Sequence, residues 1–159
     1  MNVFVDLEQS GIGTWIRESP SILAYPTFLF LHTVGLGLLV GTSAAIDLRV
    51  LGVGREMDLR PLHKLFPLLY LGFWLSAFSG AALWIADAHV WGKDVVFYIK
   101  MGLIVLGMLS VRLVRSRVLR HPLAEQNVIA PSGRLLAASS LVLWVAAITA
   151  GRLTAYIGK

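Results

Sequence analysis

The residues in this chain whose types could support chemistry are few, and their depth in the membrane limits what that chemistry can be. His32 stands near the middle of an uncharged run, Ile22 to Ile46, that is long enough to cross a bilayer. An imidazole in hydrocarbon has no water to bond, so such a residue faces a bundle interior, a cavity or a cofactor. Three roles are open to it. It can hydrogen-bond Ser76, Ser79, Tyr70 or a backbone carbonyl and so fix helix registry. It can ligate haem b, for which neutral imidazole is a standard axial ligand and a helical bundle a suitable enclosure. It can also contact a substrate or a proton.

One haem needs both axial ligands at one depth. His63 precedes the second apolar run and lies on the order of 20 Å from His32 along the membrane normal, so the two do not clamp one haem within a chain. Met108 lies about 20 Å into the third run against ~15 Å for His32, which leaves a His/Met pair open. His32 of two copies across a twofold axis, or a five-coordinate haem, are the other arrangements. Gly35 follows His32 by one turn and offers space for a ring edge. His32 is therefore the candidate metal and cofactor ligand, with Met108 and Gly35 beside it; His89 and His121 fall in loops.

A second constellation gathers near the opposite ends of the later runs. Asp87, Asp94, Lys100 and Arg152 could meet there, either as snorkelling cations partly paired to the aspartates or as a contact for an anionic ligand, a lipid headgroup or a quinone carbonyl, with Lys100 and Arg152 as its cations. No HExxH, GxSxG, Walker loop or GxGxxG is present, and no acidic residue falls within the apolar runs, which argues against an embedded hydrolase or an ion-driven pump.

The elements that must position these residues follow from composition. With 57% hydrophobic and 14% charged residues, the chain reads as an integral membrane protein, and the absence of cysteine excludes disulfides, iron–sulfur clusters and thiolate zinc sites. Spans are expected at about 22–46, 65–86, 95–115 and 135–156: an all-α, transmembrane four-helix bundle forming one domain over 1–159. Nine of the fourteen basic residues, Arg49, Arg55, Arg60, Lys64, Arg112, Arg115, Arg117, Arg120 and Arg134, fall in two loops on one side. The positive-inside rule then sets both termini on the outer, periplasmic side. The basic loops suit anionic lipid headgroups better than nucleic acid.

Local punctuation refines this layout. Gly52 and Gly54 end the first helix, Pro61 suits a first turn, and Pro131-Ser132-Gly133 sets a Ser cap before the fourth span. Residues 2–17 read as an interfacial helix on the outer surface, and Trp84, Trp91, Phe97, Tyr98 and Tyr156 as an outer aromatic belt. Gly37 and Gly41 form a GxxxG, Gly72, Ser76 and Gly80 a doubled small-xxx-small, and Ala147 with Gly151 repeats it; these read as close helix contacts, with a glycine-lined groove for a flat ligand as the alternative. No targeting peptide is expected, since the first twenty residues lack an apolar core.

Four stretches carry a resemblance: His32-Thr33-Val34-Gly35; Ile46 through Gly52; Gly72-Phe73-Trp74 with Ser79-Gly80; and Phe97-Tyr98-Ile99-Lys100. Over Trp15 to Gly151 the chain resembles a bacterial family of small four-helix membrane proteins of unassigned function, itself distantly similar to copper-resistance membrane proteins and di-haem b-type cytochromes. That resemblance implies a haem ligand role at His32 alone, because the other spans lack the midplane histidine of the family pattern. The expectation is a multi-pass protein of the bacterial inner membrane, a small subunit or accessory protein near electron transfer that binds b-type haem through His32. The alternative is a structural subunit with no cofactor of its own. The expected partners are the lipid bilayer and either further copies of this chain or a larger membrane complex, with its lipids or pigments, and no nucleic acid.

Overall fold

Long apolar segments satisfy their backbone in lipid by coiling. The computed structural model describes residues 3–92, 94–121 and 127–157, with the side chains of the last helix through Thr154, and it is helical with no strand among the described residues. In chain order the helices are α1 (Val3–Glu8), α2 (Gly11–Glu18), α3 (Tyr25–Leu51), α4 (Phe66–Ala86), α5 (Ala88–Trp91), α6 (Val95–Val114) and α7 (Pro131–Ile157). A 3-10 turn, Arg60–Leu65, leads into α4, and a π turn, Arg115–Leu119, continues α6. Helices α3, α4, α6 and α7 are long and apolar enough to cross a membrane, so the chain is a multi-pass membrane four-helix bundle, as its sequence led us to expect.

Helix α3 starts at Tyr25, three residues into its apolar run, and two further boundaries depart from the runs for a local reason. Helix α3 runs five residues past Ile46, because its stop is set by geometry rather than hydropathy: Gly52 takes φ 110° and its N–H bonds the carbonyls of Leu48 and Arg49. Helix α7 begins at Pro131, so Ser132 is not its cap. The N–H groups of Gly133 and Arg134 both bond Ala130 O, and proline at the first position costs no hydrogen bond.

Helix α3 is central: it packs along α4 on one side and against α7 on another, while α6 packs along α7. The α3–α4 pair owes its closeness to two glycines. A Cβ on Gly35 would sit 2.6 Å from Ser76 N, and one on Gly72 would sit 2.5 Å from Leu39 N, so backbone touches backbone. The tightest apolar packing lies towards the basic end, where Leu39, Ile46, Val50, Phe66, Leu69, Val111, Val114 and Trp144 share one cluster. There Arg115 also lies over the Phe66 ring, 4.8 Å from its centroid.

The opposite end holds both termini and the short helices. The N-terminal segment is two helices rather than one: Ser10 breaks it, donating to Leu7 O at 2.6 Å and accepting from Gly13 N to cap α2. Buried Gly13 and Ile16 seat α2 on α4, and Phe4 meets Trp84 edge-on. Trp84 is thus packed inside the chain, with Nε1 buried and unpartnered. Phe97 is half-buried and Tyr98 exposed, and Tyr98 donates to Gly92 O. The side chain of Tyr156, and Lys93 and Lys159, lie outside the described residues.

The crossing makes a direct prediction. Gly35→Ala or Gly72→Ala is expected to cost about 1–3 kcal/mol by overpacking, read as a lowered unfolding midpoint in mild detergent. Gly37→Ala, whose Cβ would meet nothing within 4 Å, is expected to leave the midpoint unchanged.

Candidate functional site

His32 projects from α3 onto α4. Its Nδ1 lies 2.9 Å from Ser76 O, and a carbonyl only accepts, so Nδ1 carries the proton and donates. Ser76 Oγ and Ser79 Oγ stand 3.4 Å from the same nitrogen. The ring lies against Gly80, where a Cβ would approach Cε1 to 2.9 Å. Of the partners expected for His32, the structure brings up Ser76, Ser79 and a carbonyl, not Tyr70.

The haem arrangement read from spacing is not assembled within one chain. Gly35 offers no room for a ring edge, since the Ser76 and Gly72 backbones fill it. On α6, Lys100 lies beside Gly151 towards the end of the bundle that holds the short helices. Met108 lies eight residues deeper, about 12 Å along the helix, and packs against the apolar cluster near the basic end. His63 does sit far from His32, with Nε2 3.2 Å from Leu119 O at the basic end. Among the described residues no three His, Cys, Asp or Glu side chains come together to hold a metal.

The second constellation also separates. Lys100 lays its stem against Gly151, 3.5 Å from a Cβ placed there, while Arg152 points out exposed. Asp94 caps α6 by accepting from Val96 N, and its other oxygen, Oδ2, is buried without a partner among the described residues. Asp87 belongs to the N-terminal cluster instead. Arg17 pairs with Glu8 at 2.6 Å and Glu18 at 2.9 Å and reaches Ala86 O, and Glu8 accepts from His89 N.

A buried polar network towards the basic end went unread in the sequence. Asp47 is 2% exposed, well inside α3, which corrects the expectation that no acidic residue lies in a span. Ser43 Oγ donates to Asp47 Oδ2 at 3.4 Å, and Ser140 approaches the same carboxylate. Trp144 Nε1 donates to Ser43 Oγ at 3.0 Å, and Ser110 Oγ lies 3.0 Å from Ser140 Oγ. The Trp144 ring rests on Gly107, 3.1 Å from a Cβ there, so a glycine on α6 admits the indole that ties α7 to α3. Space beside Asp47, walled by Phe66, Leu69, Val111 and Val114, has no room for a water. Hydroxyls therefore do the solvating, offsetting part of the several kcal/mol that burying a carboxylate costs. The signal was available in the gap between Ile46, which ends the uncharged run, and the helix stop at Gly52.

No family model, curated protein or solved structure matches this chain.

Two expectations follow. Trp144→Phe removes the donor to Ser43 and should lower stability by about 1–3 kcal/mol in detergent unfolding. At Asp87, burial chiefly, with Glu8 adding and Arg17 opposing, holds the carboxyl above its ordinary range. A raised folded-state value means stability present at low pH is lost as pH rises through it. Asp87→Asn should therefore raise the neutral-pH midpoint slightly, by about 1–2 °C, and that gain should vanish below roughly pH 4.

Proposed function

We propose that this protein is a small membrane subunit whose α3 presents one face to a further transmembrane helix, of a larger membrane complex or of a second copy. The carrying observation is a contrast among glycines. Gly35, Gly72, Gly80 and Gly107 are filled by backbone or rings within the chain, whereas Gly37 and Gly41 meet nothing within 4 Å. The open pair sits on an exposed stripe of α3 with Phe30, Val34, Ala45 and Leu48. In lipid, such a shallow groove gains most from a helix that can approach its backbone. The reading places the protein in a bacterial inner membrane with its basic end inward, by the positive-inside rule.

A b-type haem on His32 is the competing reading, and one observation favours it. With Nδ1–H committed to Ser76 O, the tautomer leaves Nε2 as the basic nitrogen, the orientation that ligating histidines adopt. In this arrangement the chain supplies one axial ligand and neither Met108 nor a Gly35 slot.

The readings separate experimentally. Gly37→Leu with Gly41→Leu is expected to abolish co-purification with the partner from gently solubilised native membranes while leaving the isolated bundle folded; retained association counts against this face. A reduced-minus-oxidised spectrum of the purified protein should show no Soret band; a band lost in His32→Ala would establish the haem reading instead.

A further inference from the structure

The loop ends of α3 and α7 enclose a cleft that neither reading uses. It has a volume of about 130 Å3 and is lined by Arg49, Gly52, Arg55, Asn127, Ile129 and Arg134. At ~30 Å3 per water, that is space for roughly four waters or one tetrahedral oxyanion with its first contacts.

Arg49 is built into this cleft rather than draped over it. The residue is 6% exposed, and three acceptors hold its guanidinium: Nε donates to Met57 O at 2.7 Å, and Nη2 to Arg55 O and Asn127 Oδ1, each at 3.2 Å. Asn127 Oδ1 also accepts from Leu59 N, so the loop and the guanidinium are set together. Nη1 is left without a partner among the described residues. Arg55 packs its guanidinium onto Gly52, whose φ of 110° and missing Cβ make the place; a Cβ there would sit 3.0 Å from Arg55 Nε.

Among the described residues these charges have no carboxylate partner: none lies within 4.0 Å of Arg49, Arg55 or Arg134, and Glu56 and Asp58 in the same loop form no ion pair with them. Arg134 stands in the first turn of α7, the end of a helix that disfavours a cation. Three cations converging on one opening, one of them buried and fixed, repel unless an anion joins them. Guanidinium forks match phosphate oxygens in geometry as well as charge.

We propose that this cleft binds a phosphate group, carried by a lipid headgroup or by a free phosphate, at the basic end of the bundle. The full chain in neutral detergent is titrated with inorganic phosphate by calorimetry. In parallel it is reconstituted in phosphatidylcholine discs with and without phosphatidic acid, and bound lipid is counted by native mass spectrometry. Arg55→Gln with Arg134→Gln is expected to weaken binding at least tenfold, whereas Arg112→Gln with Arg117→Gln, exposed on the same end outside the cleft, keeps it. Should the glutamine pair fail to fold, Arg55→Lys with Arg134→Lys serves and should also weaken binding, because the bidentate fork is lost. Heat with inorganic phosphate alone identifies a free anion; retention of phosphatidic acid without such heat identifies a headgroup. Binding of neither probe, or equal loss in the Arg112 and Arg117 control, overturns the proposal.

Discussion

Backbone contact between α3 and α4 at Gly35 and Gly72 is the constraint from which the rest of this structure follows. Once the two helices touch there, the α3 positions before and after the crossing are assigned faces. His32, one turn before Gly35, must lie on α4, where the Ser76 carbonyl, 3.3 Å from Ser79 Oγ, also accepts from Nδ1 at 2.9 Å. Gly37 and Gly41, two and six residues after Gly35, turn away from α4 and remain uncovered. A side chain at either crossing glycine would separate the pair and remove the reason for both consequences.

Polar burial divides along the same axis. Above the crossing, His32 bonds across to α4; below it, Asp47, Ser43, Ser110, Ser140 and Trp144 tie α3, α6 and α7 beside the apolar cluster. Hydrophobic burial does not drive helices together in lipid, so hydrogen bonds and close packing must define the arrangement. The Asp47 network is suited to that role, since each partner comes from a fixed helical position and the carboxylate has no water to take instead. At the basic end Arg49 extends the order into the loops by bonding Met57 O, Arg55 O and Asn127.

Much of this was legible in the residues. Four apolar runs fixed the count and order of the spans, and Gly52 marked the end of α3 because its αL backbone needs glycine. The separation of His32 from His63 followed from rise per residue alone. What failed was lateral and vertical registry. Hydropathy ended the first apolar run at Ile46 and so left Asp47 outside the span, although Gly52 already marked the helix end; counting from span ends left Met108 open as a partner for His32, whereas it packs against the apolar cluster. Small residues at four-residue spacing suit close helix contact, yet a glycine's spacing does not say which face it occupies, and Gly37 and Gly41 occupy an open one.

The central claim is that α3 is locked to α4 on one face and offers its opposite face to another helix. The chain contains no cysteine, so single cysteines at positions 37, 41, 105 and 142 can each carry a benzophenone-maleimide and be photolysed in native membranes. The account expects a discrete protein adduct from positions 37 and 41, and none from 105 and 142 on the exposed faces of α6 and α7. Lipid adducts alone at 37 and 41, or the same protein adduct from all four positions, would contradict it.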